Sequence, residues 1–345
     1  MQFRKLSSGL KAAYRGSDAH HRAERFDGWT RRAAAEDAGA TGYDHTETVK
    51  EYYDLCSEFM VFGWGESLHF APLSPGESLA DSKIRHQRLM IAKLELREGM
   101  TVVDVGCGIG GPMRRVVREA GVRVVGVNTN EIQLEKARSL NAEAGLDHMV
   151  DYLACSFMDM RAITDGTFDR GYAIESTCHA PDKAAAFTEI YRVLKPGALF
   201  WGQEMCMTDR FDPDDSRHLA LKRDLMHGIA LNDIATFDNG NRALETAGFQ
   251  VIEARDRAVG ESGPTTPWYQ PMETRHGTLG NALRRTPLGR KSLIGISRLA
   301  EALRVFPKGS ADVIGLLDRT ANAYVAGGRA GIFTPLYCFL ARKPR

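Results

Sequence analysis

The stretch Val102-Val-Asp-Val-Gly-Cys-Gly-Ile-Gly-Gly-Pro112 decides how this chain is read. An apolar β-branched run ends in glycines at 106, 108, 110 and 111, followed by a helical pattern over 111–120. Glycine at a strand end lets the backbone turn sharply and approach a ligand closely. Outward from it, TVVDV (101–105), RVVGV (123–127), VDYLA (150–154), DRGYAI (169–174) and ALFWGQE (198–204) read as strands. Helical patterns at 111–120, 130–144 and 182–194 lie between them, the last closed by Lys195-Pro196-Gly197. That alternation predicts an α/β fold with a parallel, doubly wound sheet. QVIEAR (250–255) reads as a sixth strand and 332–342 as a seventh, in which Pro335 needs a strand start or a bulge. The expected organisation is a loosely ordered or helical segment over 1–45 and a helical cap over 46–96. A ligand-binding core follows over 97–255, then a mostly helical insertion over 256–331 and a final strand with tail over 332–345.

The chain has 345 residues, 43% hydrophobic and 26% charged, with a net charge of +1, which excludes a uniformly basic nucleic-acid binder. No apolar run approaches the ~20 residues of a membrane-spanning helix. The six cysteines, at 56, 107, 155, 178, 206 and 338, form no CxxC pair, and no HExxH occurs. Free thiols in a cytoplasmic protein without a metal site are expected. The neutral total hides a split. Residues 255–345 carry 15 Lys and Arg against 6 Asp and Glu, a net of +9, leaving −8 for the rest. Residues 1–17 hold four basic and no acidic residues. Their low apolar content, and the acids that follow, argue against a transit peptide.

Two ligands compete for the glycine loop, because Gly106-x-Gly108-x-x-Gly111 also satisfies the dinucleotide fingerprint. A pyrophosphate wants helix amides and no nearby anion, yet Asp104 stands two residues before the first glycine. A carboxylate there suits an ammonium and a sulfonium, so S-adenosyl-L-methionine is the expected cofactor. Asn128-Thr129-Asn130, at the end of the second strand, is compatible with ribose hydroxyls in either case.

The chain resembles the sterol 24-C-methyltransferases over roughly 46–345. The likeness is carried by Tyr52-Tyr53-Asp54-Leu55, Gly63-Trp-Gly-Glu-Ser-Leu-His-Phe-Ala-Pro72, Arg85-His86 and Asp104-Val-Gly-Cys-Gly-Ile-Gly-Gly-Pro112. It continues through Tyr172-Ala-Ile-Glu-Ser-Thr-Cys-His-Ala-Pro181, Glu189-Ile-Tyr-Arg-Val-Leu-Lys-Pro-Gly197, Pro267-Trp268-Tyr269, Phe333-Thr-Pro335 and Ala341-Arg-Lys-Pro344. The resemblance implies a seven-stranded Rossmann-like class I methyltransferase core with an N-terminal helical cap and a C-terminal mostly helical insertion. It implies methyl transfer to a side-chain alkene, at carbon 24 of a sterol, through a carbocation that later loses a proton. Cofactor contacts are then expected from Tyr53, Gly65, Asp104, Gly106, Cys107, Gly108, Gly110, Asn128, Thr129, Asn130, Gln133, Ser156, Phe157 and Met158.

Among candidate catalytic residues, Glu175 and His179 follow the fourth strand at the ligand-binding edge of the sheet. A carboxylate there would stabilise the cation or take the final proton, with the imidazole orienting it or relaying the proton. Trp64, in a Gly-Trp-Gly turn, and His69 complete the catalytic set, with His86 a softer candidate. Phe59, Phe62, Trp64, Glu66, Trp268 and Tyr269 are expected to line the acceptor pocket. Three stretches depart from the family: Phe59-Met-Val-Phe62 where aromatic and acidic residues are usual, Ser156 in place of an Asp, and Asp224-Leu-Met-His-Gly-Ile-Ala230 with an acid and a glycine lost. They predict a more apolar pocket and open an alternative acceptor, squalene or another linear terpene; a silent isoprenoid-binding protein is the rival class. The expected partners are a sterol or triterpene and a transient anionic membrane surface met by the basic segment, with no nucleic acid; a homo-oligomer is left open.

Overall fold

The computed structural model describes residues 2–35, 45–259, 266–273 and 285–345, which cluster into two compact units. One unit, 66–209 with 234–268 and 333–345, is built on a single seven-stranded sheet. Its strands are β1 (Thr101–Val105), β2 (Arg123–Asn128), β3 (Val150–Ala154), β4 (Phe168–Ile174), β5 (Leu194–Met207), β6 (Gln250–Asp256) and β7 (Phe333–Arg342). The order is β3-β2-β1-β4-β5-β7-β6. β1 to β5 run parallel, while β7 lies antiparallel to both β5 and β6. Every expected strand is present, and β5 runs longer than expected at both ends. The β5–β7 register shifts between Glu204 and Cys206, opposite Tyr337 and Thr334, so Pro335 sits at a bulge that needs no ladder donor.

From β1 the chain crosses to β2 on one side and later returns to β4 on the other. The sheet therefore opens a crevice beyond the carboxyl ends of β1 and β4, where ligands bind in this architecture. Strand alternation sorts the core. Val103, Val105, Phe168, Phe187, Ile190, Phe200 and Phe339 pack in one buried cluster. Val102, Val124, Met113, Tyr172, Trp201 and Leu340 pack in another. Neighbouring residues of β1 thus enter different clusters, as a period of two requires. Helices α4 (Leu79–Lys93), α5 (Gly111–Ala120), α6 (Glu131–Glu143), α7 (Lys183–Val193) and α9 (Phe237–Thr246) belong to this unit. Ser78, Asn130, Asp182 and Thr236 cap four of them by accepting a backbone N–H with their side chains.

The second unit, 1–65 with 210–233 and 269–332, is helical. It holds α1 (Gln2–Ala13), α2 (Ala19–Ala35), α3 (His45–Trp64), α8 (Ser216–Ile229), α10 (Pro287–Ala302) and α11 (Ser310–Ala330). Of the two readings open for the first 45 residues, the described part is helix. The segment around α8, expected within the core, clusters here instead, and the helical cap expected over 46–96 is divided, α3 here and α4 with the sheet. Leu6, Leu10, Phe26, Tyr52, Leu55, Phe59, Phe306, Val313 and Ile314 form its core. Buried Arg290 ties it together: its guanidinium donates to Asp318 at 2.5 Å, to Asn322 at 2.8 Å and to the Met272 carbonyl at 3.1 Å.

Candidate functional site

The glycine loop turns as the sequence requires. Gly106, Gly108 and Gly110 have φ of 77°, 52° and 72°, a region that L side chains avoid. A Cβ on Gly106 would overlap the Ser176 side chain, whereas one on Gly108 would point into open space. Gly111 is closed over by the chain at Glu66 and Ser67, with no room for a Cβ. Arg114 of α5 fastens that crossing: it donates to Glu66 at 2.7 Å and to the Ile109 carbonyl at 3.0 Å. Glu66, expected against the acceptor, is thus engaged with Arg114.

Asp104 is 3% exposed and accepts a hydrogen bond from the Tyr172 hydroxyl at 2.8 Å. Burial pushes its carboxyl up to about 7, against that hydrogen bond. Among the described residues it has no cationic partner. A buried carboxylate lacking a counter-charge, beside a loop whose glycine opens onto free space, fits a cationic ligand and not a pyrophosphate. S-adenosylmethionine meets that description.

The other expected cofactor residues divide between packing and availability. Asn130 caps α6 by accepting from the Gln133 N–H at 2.9 Å, and Asn128 donates to the Gln133 side chain at 2.9 Å. Thr129 between them is exposed. The Cys107 thiol is buried and pushed well up by burial. The Ser156 hydroxyl accepts the Met158 N–H at 3.1 Å, closing its own turn, so it offers a ligand its proton and one remaining lone pair. Phe157 is half-buried beside it.

Glu175 is the most unusual side chain of the sheet unit. It follows β4 with φ of 52°, left-handed for a non-glycine residue, and it is 8% exposed. Such strain of about 1–3 kcal/mol persists where the surroundings over-determine it. Here they do. The Phe70 N–H and the Gln203 amide each donate to Oε1 at 2.6 Å, and the Glu175 N–H donates to the Gln203 carbonyl at 2.9 Å. Both side-chain bonds converge on Oε1, and among the described residues Oε2 has no donor. Burial pushes the carboxyl up to about 8, against those two bonds and the charge of Lys83. The sequence reading missed Gln203. It is fully buried on β5, and its amide N–H groups reach Glu175, the Pro335 carbonyl at 3.0 Å and the Phe70 carbonyl at 3.2 Å. Its oxygen accepts from His86 Nε2 at 2.6 Å. The β4–β5 register, which pairs Ile174 with Gln203, was the one available signal.

The histidines fall into different parts. His69 is buried; its Nδ1 donates to the Phe70 carbonyl at 2.7 Å, and its Nε2 accepts from Gln87 at 2.8 Å. Burial pulls it down to about 3, so it is neutral and anchors the loop that carries Phe70. His86, pulled to about 4 by burial, backs Gln203. His179 is buried in the turn Thr177–His179, four residues after Glu175. That turn is held by the Thr177 hydroxyl on Glu204 and by Lys183, which donates to Glu204 at 2.7 Å. Trp268 is 5% exposed and meets Phe70 and Phe333 edge-on, at 5.2 and 5.8 Å between ring centres. Tyr53, Phe59, Phe62, Trp64, Gly65 and Tyr269 belong to the helical unit. There Phe59 is buried, and the Arg285 guanidinium lies 5.7 Å from the Trp64 ring centre, covering one face.

Comparison with known proteins places this geometry. Residues 103–202 match the methyltransferase domain model, and 281–345 match the sterol methyltransferase C-terminal model. The chain is 43% identical over 301 residues to cycloartenol-C-24-methyltransferase of Arabidopsis thaliana, covering 87% of this chain and 88% of that one. It is 36% identical over 307 residues to sterol 24-C-methyltransferase of Saccharomyces cerevisiae, covering 87% and 79%. Among solved structures, a cyclopropane synthase from Mycobacterium tuberculosis superposes with a TM-score of 0.66 at 18% identity, over 87% of this chain and 99% of that one. Geranyl diphosphate C-methyltransferase from Streptomyces coelicolor does so at 0.61 and 18%, over 89% and 100%. These last two show the shared fold. With buried Asp104, which has no counter-charge among the described residues, beside an open glycine loop, and 43% identity to a plant relative over 87% of the chain, the chain belongs to the sterol 24-C-methyltransferase family, which draws its methyl group from S-adenosylmethionine.

Proposed function

We propose that this enzyme methylates the side-chain alkene of a sterol at carbon 24, with Glu175 as the group that answers the positive charge and takes the final proton. The observation that carries the assignment is Glu175 itself: strained, buried and with its carboxylate held by two donors on Oε1, at the sheet edge where ligands bind. The names of the relatives support the acceptor class. When bound, S-adenosylmethionine supplies an electrophilic methyl group, so the alkene π-bond needs no base to begin. The chain's task is to exclude water, align the alkene, and stabilise the cation left on the acceptor. A carboxylate in a dry site does the last strongly, because the interaction is little screened. Proton loss from the acceptor then forms the new alkene and protonates Glu175 at Oε2, the oxygen without a donor among the described residues. A carboxyl pushed up to about 8 holds that proton readily.

We read Tyr53 and Gly65 as cofactor contacts, and Phe59, Phe62, Trp64 and Tyr269 as acceptor contacts. Asp104, Thr129 and the backbone of 106–110 and 156–158 are the cofactor contacts of the sheet unit. His69 and His86 act through the loop and Gln203. No described helix is long and apolar enough to cross a membrane. We read the basic C-terminal part as resting on an anionic membrane surface, from which an apolar acceptor enters without crossing water.

The test is incubation with labelled S-adenosylmethionine and a panel of acceptors: a sterol with a carbon-24 alkene, its saturated counterpart, and squalene. Label in the unsaturated sterol alone is expected. Label in squalene without label in the sterol would refute the acceptor, and no transfer to any would refute the activity.

A further inference from the structure

We infer that the outward face of α10 is the surface by which the helical unit docks on an anionic phospholipid bilayer. The inference rests on the membrane-surface reading above and names the face that serves it. Helix α10 buries one side and exposes an apolar strip on another. Arg290, Ser297 and Ala300 face inward and are buried. On the other side Leu288 is 66% exposed, Ile296 49% and Leu299 62%, and Leu303, at the helix end, is 66%. At 3.6 residues per turn these four fall within an arc of about 80°. A surface helix of a soluble protein normally places polar residues opposite its buried stripe. Here the exposed stripe is leucine and isoleucine, broken by Ser292.

The strip continues past the helix. Val305 is 40% exposed, and the Ser7 hydroxyl donates to its carbonyl at 2.8 Å, which brings the start of α1 alongside. Phe3, also 40% exposed, stacks on Phe306 at 5.0 Å and widens the apolar area. Cations edge it: Lys291 and Arg298 on the helix flank, Arg304 and Lys308 beyond its end, and Arg4 and Lys5 on α1, all exposed. The one acid of the helix, Glu301, is half-buried and engaged with the Ala311 N–H at 2.7 Å.

An apolar strip flanked by cations fits one occupant best. Leucine side chains enter the boundary of the acyl chains while Lys and Arg meet phosphate and serine headgroups. A second copy fits less well, because a two-fold contact would bring Lys291, Arg298 and Arg304 against their own counterparts.

The test uses the full chain in co-sedimentation with phosphatidylcholine vesicles, with and without phosphatidylserine. Wild type is expected to bind the serine-containing vesicles, and about tenfold or more weakly in high salt or on phosphatidylcholine alone. The variant Ile296→Gln/Leu299→Gln/Leu303→Gln alters only exposed side chains, so its melting midpoint and cofactor affinity should stay unchanged. Its vesicle affinity should fall by about a hundredfold. Lys291→Gln/Arg298→Gln should lose about tenfold, with a shallower salt dependence. If wild type binds and the triple variant binds equally, the face is wrong and the membrane reading stands. If wild type ignores all vesicles, both fall. A wild-type dimer that the triple variant turns into a monomer would give the face to a second copy and overturn the proposal.

Discussion

Replacing Gln203 by methionine, a side chain of similar volume, tests how Glu175 is held. The substitution removes one of two donors from Glu175 Oε1, both now at 2.6 Å, and leaves Phe70 as the other. A hydrogen bond to a charged group contributes about 1.5–3 kcal/mol. At 1.36 kcal/mol per pH unit, the Glu175 carboxyl should rise by about one to two pH units above its already raised position. The pH profile of turnover, which climbs as Glu175 ionises, should move up by that amount. Stability falls too, because the His86 N–H and the Pro335 carbonyl lose their partner, at about 1–3 kcal/mol each. Urea unfolding separates that effect from the pH profile. Cofactor affinity at fixed pH should not change, since Gln203 touches no residue of the glycine loop. A variant that is less stable but keeps the wild-type pH profile would refute the coupling of Gln203 to Glu175.

Three further outcomes follow from the same geometry. Because Asp104 is raised to about 7 by burial, it must ionise to face a cation. Calorimetric S-adenosylmethionine affinity should therefore climb about tenfold per pH unit below pH 7 and level off above it, and Asp104→Asn should flatten the curve. Gly106→Ala should lower the melting temperature sharply, because its Cβ meets Ser176. Gly108→Ala, whose Cβ meets nothing, should cost only the strain of positive φ, about 1 kcal/mol, while weakening cofactor binding. His69 is pulled by burial from 6.5 to about 3, so its contribution is present above pH 6.5 and lost as pH falls toward 3. At pH 5 the loss is about 2 kcal/mol, and His69→Gln should remove that part of the acid dependence in urea melts.

The sheet was legible because its strands read as apolar runs separated by turn residues and helical patterns. The glycine loop was legible because its chemistry is backbone chemistry, and glycine at 106, 108 and 110 states the conformation outright. Asp104 could be weighed because position alone sets an anion beside that loop. Other features depend on what folding brings together. Glu175 was visible as a carboxylate at a strand end, but its left-handed backbone and its partners were not. Gln203 sits in a strand that reads as core, and only the register of β4 against β5 places its amide beside Glu175. The helical unit was less legible still, since it gathers three separated segments. Helix α8, SRHLALKRDLMHGI, is too polar to announce a buried face by itself. The exposed leucines of α10 are indistinguishable in sequence from a core stripe, until Arg290 and Ser297 are seen to occupy the buried side.

The most direct test of the account is Glu175→Gln, with cofactor binding and methyl transfer to a carbon-24 alkene sterol measured on the same preparation. The amide keeps the shape and can still bond Phe70 and Gln203 through its oxygen, but it carries no charge and takes no proton. Cofactor affinity should match wild type, while turnover falls by about a hundredfold or more, with altered alkene products. Wild-type turnover with wild-type products in that variant would contradict the assignment of Glu175.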